Sequence, residues 1–298
     1  MDVGGALLDL ALGGDSPGIA VVGTGKNVGK TVAVRAILGA AQRRKLSTGL
    51  ASIGRDGEAV DAADGRPKPR FFLRAGTTFA TARGALPSSP AVELLRVTEM
   101  PTSAGVLVIA RVREPGYFEI VGPPTASGIR VTLANLRALG ARLTILDGAV
   151  DRVAAIAGDD RAIVVATGAA SGATIDDVAT QARAMVERLA TPAFDPLRPF
   201  VKIDGALTPG AAAEAIARDE RRQIVVRDPS QIAIFGRAFL GLAPRLTVRC
   251  ERPLRVVATT VASIGGDRYL DPVALARAVA QATGLPTFDV YASARAAA

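Results

Sequence analysis

Nine residues, Gly23 to Thr31, have the sequence GTGKNVGKT and are the strongest sign of chemistry in the chain. They follow a short β-branched run and open a stretch of helical periodicity. Small residues let the backbone curl so that consecutive N–H groups point inward, and a helix N-terminus adds positive potential. Such a loop is suited to phosphate, with Lys30 placed to reach the β- and γ-phosphates and the Thr31 hydroxyl to hold Mg²⁺. The loop therefore predicts a nucleotide with Mg²⁺ and does not distinguish ATP from GTP; ATP and Mg²⁺ are the ligands we expect.

The predicted nucleotide-binding residues are those of the loop itself: Gly23, Thr24, Gly25, Lys26, Asn27, Val28, Gly29, Lys30 and Thr31. One position departs from the usual pattern G-x-x-x-x-G-K-[ST], which requires glycine where this chain has Thr24. The alternative is an ordinary glycine-rich turn with an incidental lysine. The coincidence of strand, loop, GKT and helix favours phosphate binding.

Two aspartates are predicted to act with the loop, because a phosphate site needs a carboxylate on its metal side. Asp147 follows the apolar run Leu143 to Leu146 and is predicted to be catalytic together with Lys30, by holding Mg²⁺ or orienting water. Asp56, in the sequence GRDGE after the second strand, is a further metal ligand in this hypothesis, beside Thr31 and Asp147. The alternatives are a helix-capping role for Asp147 and a plain charged turn at Asp56. Thr167 to Gly172 follows another strand, at the sheet edge where ligands bind in α/β folds.

The elements that position these residues alternate between short β-branched runs and longer Ala/Leu/Arg stretches. The loop lies between a predicted strand, Ile19 to Val22, and a predicted helix, Gly29 to Leu46. This alternation indicates an α/β fold of the P-loop NTPase type, with a mostly parallel sheet covered by helices on both faces. Pro90 to Val97 is predicted to be helical, and Ile232 to Phe235 to be a strand.

A domain boundary is predicted at Ala190 to Pro199, which contains three prolines in ten residues. The residues before it, 1–190, are predicted to form the nucleotide-binding domain. Residues 200–298 are predicted to form a smaller C-terminal α/β unit that binds a partner.

The composition excludes several classes of site. The chain has no histidine and one cysteine, which rules out imidazole catalysis, histidine-liganded metals and intrachain disulfides, and Cys250 is predicted to lie in the core. The net charge of +8 comes from arginines spread along the chain with few aromatic residues, so nucleic-acid binding is not expected. No apolar run is long enough to cross a membrane, and the first residues lack a basic region before an apolar one. We expect a cytoplasmic protein without membrane association.

The chain resembles a known family at several blocks. The loop itself is similar to that of dethiobiotin synthetase. The loop together with IGRDGE (Ile53 to Glu58), KPRFFLRAGT (Lys68 to Thr77), VIARVREPGYFEIVGP (Val108 to Pro123) and GARLTILDGAVDR (Gly140 to Arg152) is arranged similarly to the P-loop subunit of the lysine 5,6-aminomutase reactivase. The resemblance covers roughly residues 19–190 and extends more loosely beyond them.

This resemblance implies a slow Mg²⁺-dependent ATPase that serves an adenosylcobalamin-dependent aminomutase by driving release of damaged cobalamin. It implies two partners, the aminomutase and a second subunit similar to the mismatch-repair ATPase MutS. Two alternatives stay open: an ATP-dependent ligase like dethiobiotin synthetase, and a partner subunit that binds nucleotide without hydrolysing it.

Overall fold

The computed structural model describes residues 2–13, 18–53, 70–87, 91–148 and 161–292. In this part of the chain there are seven α-helices: α1 (Val3–Leu12), α2 (Lys30–Arg43), α3 (Ala126–Ala138), α4 (Ile175–Leu189), α5 (Pro209–Ala217), α6 (Gly236–Leu242) and α7 (Pro272–Thr283). The strands of the same residues are β1 (Gly18–Gly23), β2 (Thr48–Ser52), β3 (Phe71–Leu73), β4 (Thr78–Ala82), β5 (Val92–Thr102), β6 (Gly105–Val112), β7 (Gly116–Phe118), β8 (Leu143–Asp147), β9 (Arg161–Gly168), β10 (Phe200–Lys202), β11 (Gln223–Val226), β12 (Val248–Cys250), β13 (Arg255–Ala262), β14 (Ile264–Gly265), β15 (Arg268–Tyr269) and β16 (Thr287–Asp289).

The chain divides into two compact units, and the first comprises Asp2–Val21 and Lys30–Ala149. Its sheet has the strand order β1-β8-β2-β4-β6-β5. The first four of these strands run parallel, and β6 and β5 are added antiparallel. Strands β3 and β7 pair separately as an antiparallel ribbon. The buried strand residues are apolar along most of β1 and β8, as expected for parallel strands covered on both faces.

Helix α1 packs against α2 in this first unit. Gly4 permits the close approach, because a Cβ at that position would lie only 2.0 Å from the carbonyl oxygen of Ala36. The Asp2 side chain caps α1 by accepting from the Gly5 N–H at 3.1 Å, and it also pairs with Arg43 at 2.7 Å. These contacts join the N-terminal helix to the helix that follows the loop.

The second unit comprises Val22–Gly29 and Val150–Ala298. Strands β16, β13 and β9 are parallel neighbours in that order. Helices α4 and α7 pack together through a core that includes Val178, Ala182, Leu275 and Val279. A separate parallel sheet of order β10-β11-β12 shares its own core with α5 and α6.

The fold class is confirmed at the level of an α/β chain with a large, mostly parallel sheet flanked by helices. The strand and helix around the loop match β1 and α2 closely. Residues 200–250 hold the small three-stranded sheet, while β13 pairs with β9 from before the proline-rich segment. The predicted division at Ala190 to Pro199 stays a prediction.

Two predicted elements are wrong. In the predicted helix Pro90 to Val97, Pro90 lies outside the described residues and the rest is not helical, because β5 begins at Val92 and pairs antiparallel with β6. Pairing of this segment with β6 outweighs the short helical pattern of its apolar residues. Ile232 to Phe235 is not a strand, since it contributes only a single bridge between Ile232 and Leu207 before α6 begins at Gly236.

In the described part of the chain, none of the helices has both the length and the apolar character needed to span a membrane.

Candidate functional site

The loop between β1 and α2 has an unusual backbone. β1 ends at Gly23, α2 begins at Lys30, and two residues between them have positive φ, 55° at Asn27 and 83° at Gly29. Asparagine tolerates this left-handed region better than most residues, and glycine adopts it without steric cost. Left-handed residues of this kind occur in backbone nests, whose N–H groups converge on anions. The loop shares these left-handed residues with backbone nests.

Gly29 also has little space for a side chain. A Cβ at this position would lie 3.0 Å from the Cβ of Ala262 and 3.2 Å from Cγ2 of Val290. The neighbouring Val28 is 1% exposed, whereas Lys26 and Asn27 are exposed. The end of the loop is thus packed against the protein while its tip faces solvent.

Thr24, the residue that replaces the expected glycine, joins the loop to β9. Its N–H donates to the carbonyl oxygen of Ala166 at 2.9 Å, and its hydroxyl lies 3.0 Å from that of Thr167. The Thr167 hydroxyl lies in turn 3.1 Å from that of Ser171, which donates to the Gly168 carbonyl at 2.8 Å.

The direction of this hydroxyl chain follows from one proton per hydroxyl. Because Ser171 uses its proton on a carbonyl, which can only accept, Thr167 must donate to Ser171 and Thr24 must donate to Thr167. In this arrangement the Thr24 hydroxyl donates to β9. We conclude that Thr24 anchors the loop.

Asp147 is the last residue of β8, in register with Val21 of β1 and Ser52 of β2. Its backbone carbonyl accepts from the Ile53 N–H at 3.0 Å and from the Ser52 hydroxyl at 3.4 Å. Its carboxylate accepts from the Thr31 hydroxyl at 3.4 Å. The parallel register of these strands thus brings Asp147 beside the first turn of α2.

The electrostatics of Asp147 are unusual for an aspartate. Burial raises the pKa of its carboxyl to about 6, and the Lys30 charge, the Thr31 hydrogen bond and the Arg35 charge each oppose that rise. A carboxyl that is desolvated and faces a lysine is the kind of group that a bound cation would stabilise in its ionised form.

The side-chain oxygen atoms of Asp147 and Thr31 suit Mg²⁺, which prefers oxygen ligands. Asp147 offers a carboxylate and Thr31 a hydroxyl, 3.4 Å apart. Among the described residues no group of three or more His, Cys, Asp or Glu side chains could hold a metal. Mg²⁺ is commonly held by one or two carboxylates together with substrate phosphates, so one aspartate and one threonine fit that mode.

The structure thus places Thr31 and Asp147 together, with Lys30 as the first residue of α2 and partly buried. The predicted metal ligand Asp56 lies outside the described residues. The roles of all the predicted site residues, in binding and in catalysis, stay predictions.

Two neighbours of the site were not predicted from the sequence. Ser52 contacts Asp147 only because β2 and β8 pair in that register, and Arg35 affects the Asp147 pKa from the second turn of α2. For Arg35, the one signal available in the sequence was its position on the same predicted helix as Lys30. The prediction that Cys250 belongs to the core is confirmed, since it is 0% exposed and burial raises the pKa of its thiol to about 11.

Comparisons with protein-family models, with curated proteins and with solved structures gave no match. Function must therefore be inferred from the residues of the site and their geometry.

Proposed function

We propose that the chain binds Mg-ATP at the loop Gly23 to Thr31 and hydrolyses it slowly. The observation that carries this proposal is the Thr31 hydroxyl donating to Asp147 at the start of α2, directly after a loop with left-handed residues at Asn27 and Gly29. A helix N-terminus and inward N–H groups suit the phosphates, and Lys30 supplies a positive charge.

Each residue of the site has a distinct role in this proposal. Lys30 neutralises the β- and γ-phosphates, and Thr31 and Asp147 provide oxygen ligands for Mg²⁺. Asp147 is ionised above pH 6 and so able to bind a cation at neutral pH. Thr24 keeps the loop attached to β9.

We further infer that the proposed ATP hydrolysis serves to reactivate an adenosylcobalamin-dependent aminomutase of the lysine 5,6-aminomutase type. The inference depends on the sequence blocks that resemble the reactivase subunit. A chain without histidine has no imidazole to offer to cobalt, which agrees with a protein that remodels another protein instead of carrying the cofactor. Hydrolysis would change the affinity for the partner between nucleotide states, since a ligand shifts a conformational equilibrium only by differential affinity.

The test is reactivation of an aminomutase that has been inactivated by turnover. The inactive enzyme is mixed with this chain, the MutS-like partner, Mg-ATP and fresh adenosylcobalamin. Activity should return only with all components present, and should fail with Lys30→Ala. Lys45→Ala is the matched control, because it removes an exposed lysine two residues beyond the end of α2.

Recovery without nucleotide, or no recovery at all, would contradict the reactivase proposal. Recovery with a non-hydrolysable ATP analogue would favour a subunit that binds nucleotide without turning it over. The threonine at position 24, shared with dethiobiotin synthetase, favours a ligase as the second candidate. ATP turnover that starts only on addition of a carboxylic acid substrate would establish that alternative.

A further inference from the structure

A cavity of about 260 Å³ lies in the first unit, between α2 and the ribbon of β3 and β7. Helix α2 contributes Arg35, Gly39 and Gln42, which share one face because of their helical spacing. The ribbon side contributes Phe72, Arg74 and Tyr117. None of these residues is a predicted part of the nucleotide site.

The described part of the cavity lining is positively charged. Arg35 and Arg74 both line it, and no carboxylate lies among the described residues that do so. Arg35 is held in place, because its Nη2 donates to the Arg70 carbonyl at 2.5 Å and its guanidinium lies 5.9 Å from the centroid of the Phe71 ring. A guanidinium that is fixed in this way loses little freedom when it binds an anion.

The same cavity has an aromatic wall. The rings of Phe72 and Tyr117 meet edge to face, with centroids 5.3 Å apart. They remain 45% and 68% exposed, which leaves apolar ring surface in water beside the two arginines. Exposed aromatic rings next to arginine are the combination that binding sites favour.

We propose that this cavity binds a small anion that carries one aromatic ring. Its carboxylate or phosphate group would pair with Arg35 and Arg74, and its ring would pack against Phe72 and Tyr117. The size supports a single ring, because about 260 Å³ is below the range of roughly 300–1,000 Å³ that is usual for larger ligands.

The residues that line this cavity differ from those assigned to the phosphate site. Arg35, whose charge also lowers the Asp147 pKa, lies five residues beyond Lys30 on α2, which is about 7.5 Å along the helix axis at about 1.5 Å per residue. A Lys30→Ala background therefore weakens phosphate binding at the loop while the cavity residues remain.

The experiment titrates phenyl phosphate, benzoate and inorganic phosphate into the full chain carrying Lys30→Ala, by calorimetry. Phenyl phosphate or benzoate should bind at least about tenfold more tightly than inorganic phosphate. Arg74→Gln should weaken that binding at least about tenfold, and Tyr117→Ala should remove the preference for a ring.

Matched controls are Arg142→Gln and Tyr269→Ala, which change exposed residues outside the cavity and should leave binding unaltered. Equal affinities for the ring-bearing and ring-free anions would overturn the proposal. So would an equal loss in Arg142→Gln and Arg74→Gln, or no binding of any of the three anions. If only phenyl phosphate binds, the ligand carries phosphate, and if benzoate binds equally, a carboxylate suffices.

Discussion

The hydroxyl of Thr31 donates to the carboxylate of Asp147 across 3.4 Å, although the two residues are 116 positions apart in the chain. The contact exists because β1 and β8 are parallel neighbours, with Val21 opposite Asp147. This pairing places the Asp147 carboxylate beside the first turn of α2, the helix that follows the loop.

Replacing Lys30 with alanine should weaken Mg-ATP binding by roughly 1.5–3 kcal/mol, the scale of a hydrogen bond to a charged group. The loss arises because Lys30 supplies the positive charge assigned to the β- and γ-phosphates. Calorimetry measures it, with Lys45→Ala as the control for loss of a surface lysine. An affinity that is the same in both variants would remove Lys30 from the site.

Asp147→Asn should weaken the Mg²⁺ dependence of ATP binding and slow hydrolysis, because an amide is a poorer ligand for a hard cation than a carboxylate. In the wild-type protein the Mg²⁺ affinity should fall as the pH falls through about 6, where the carboxyl becomes protonated. The asparagine variant should lose this pH dependence. If the variant hydrolyses ATP at the wild-type rate with unchanged Mg²⁺ dependence, the role of Asp147 is structural and not catalytic.

The same carboxyl should cost stability in the ligand-free protein at neutral pH. Its pKa is about 6 in the folded chain, above the ordinary 3.8, so the folded state binds the proton more tightly than the unfolded state. Its contribution to the free energy of unfolding is therefore greatest below pH 4 and declines as the pH rises through 6.

Asp147→Asn should consequently raise the free energy of unfolding at pH 8 by about 3 kcal/mol relative to its effect at pH 3.5. Urea denaturation at the two pH values measures this difference. If the substitution changes the free energy of unfolding equally at the two pH values, burial does not raise the pKa of the Asp147 carboxyl.

Thr24→Val should lower the free energy of unfolding of the nucleotide-free chain by about 1 kcal/mol, because the hydroxyl hydrogen bond to Thr167 is lost. Thr24→Ser, which keeps the hydroxyl, should lose much less. Thermal unfolding without nucleotide is the informative measurement. A residue whose only role is to touch phosphate would leave that stability unchanged and alter affinity alone.

Gly29→Ala should destabilise the chain more than Gly76→Ala. Both glycines have nearly the same positive φ, 83° and 85°, so both substitutions carry a left-handed strain of about 1–2 kcal/mol. Only at Gly29 would the new methyl also press on Ala262 and Val290, whereas nothing lies within 4 Å at Gly76. The difference in denaturation midpoints isolates the packing contribution, and equal midpoints would show that the neighbours of Gly29 yield freely.

The elements next to the loop could be predicted because their signals are local. β1 is a short β-branched run, and α2 begins at the lysine of GKT. The position of Asp147 at a strand end followed from the same pattern. What could not be predicted depends on pairing between distant segments: β5 is a strand because β6 lies beside it, and Ser52 reaches Asp147 because of the register of β2 and β8.

The buried position of Cys250 gives the small sheet of β10, β11 and β12 a built-in chemical reporter. Its Sγ lies 3.2 Å from the Thr191 carbonyl oxygen, and its thiol is the only one in the chain. Because the thiolate is the form that alkylating reagents attack, labelling of the native protein must wait until this sheet opens to solvent. The alkylation rate of Cys250 therefore reports how often this sheet opens locally, without interference from any other thiol. A lower rate after addition of Mg-ATP would show that nucleotide stabilises the sheet.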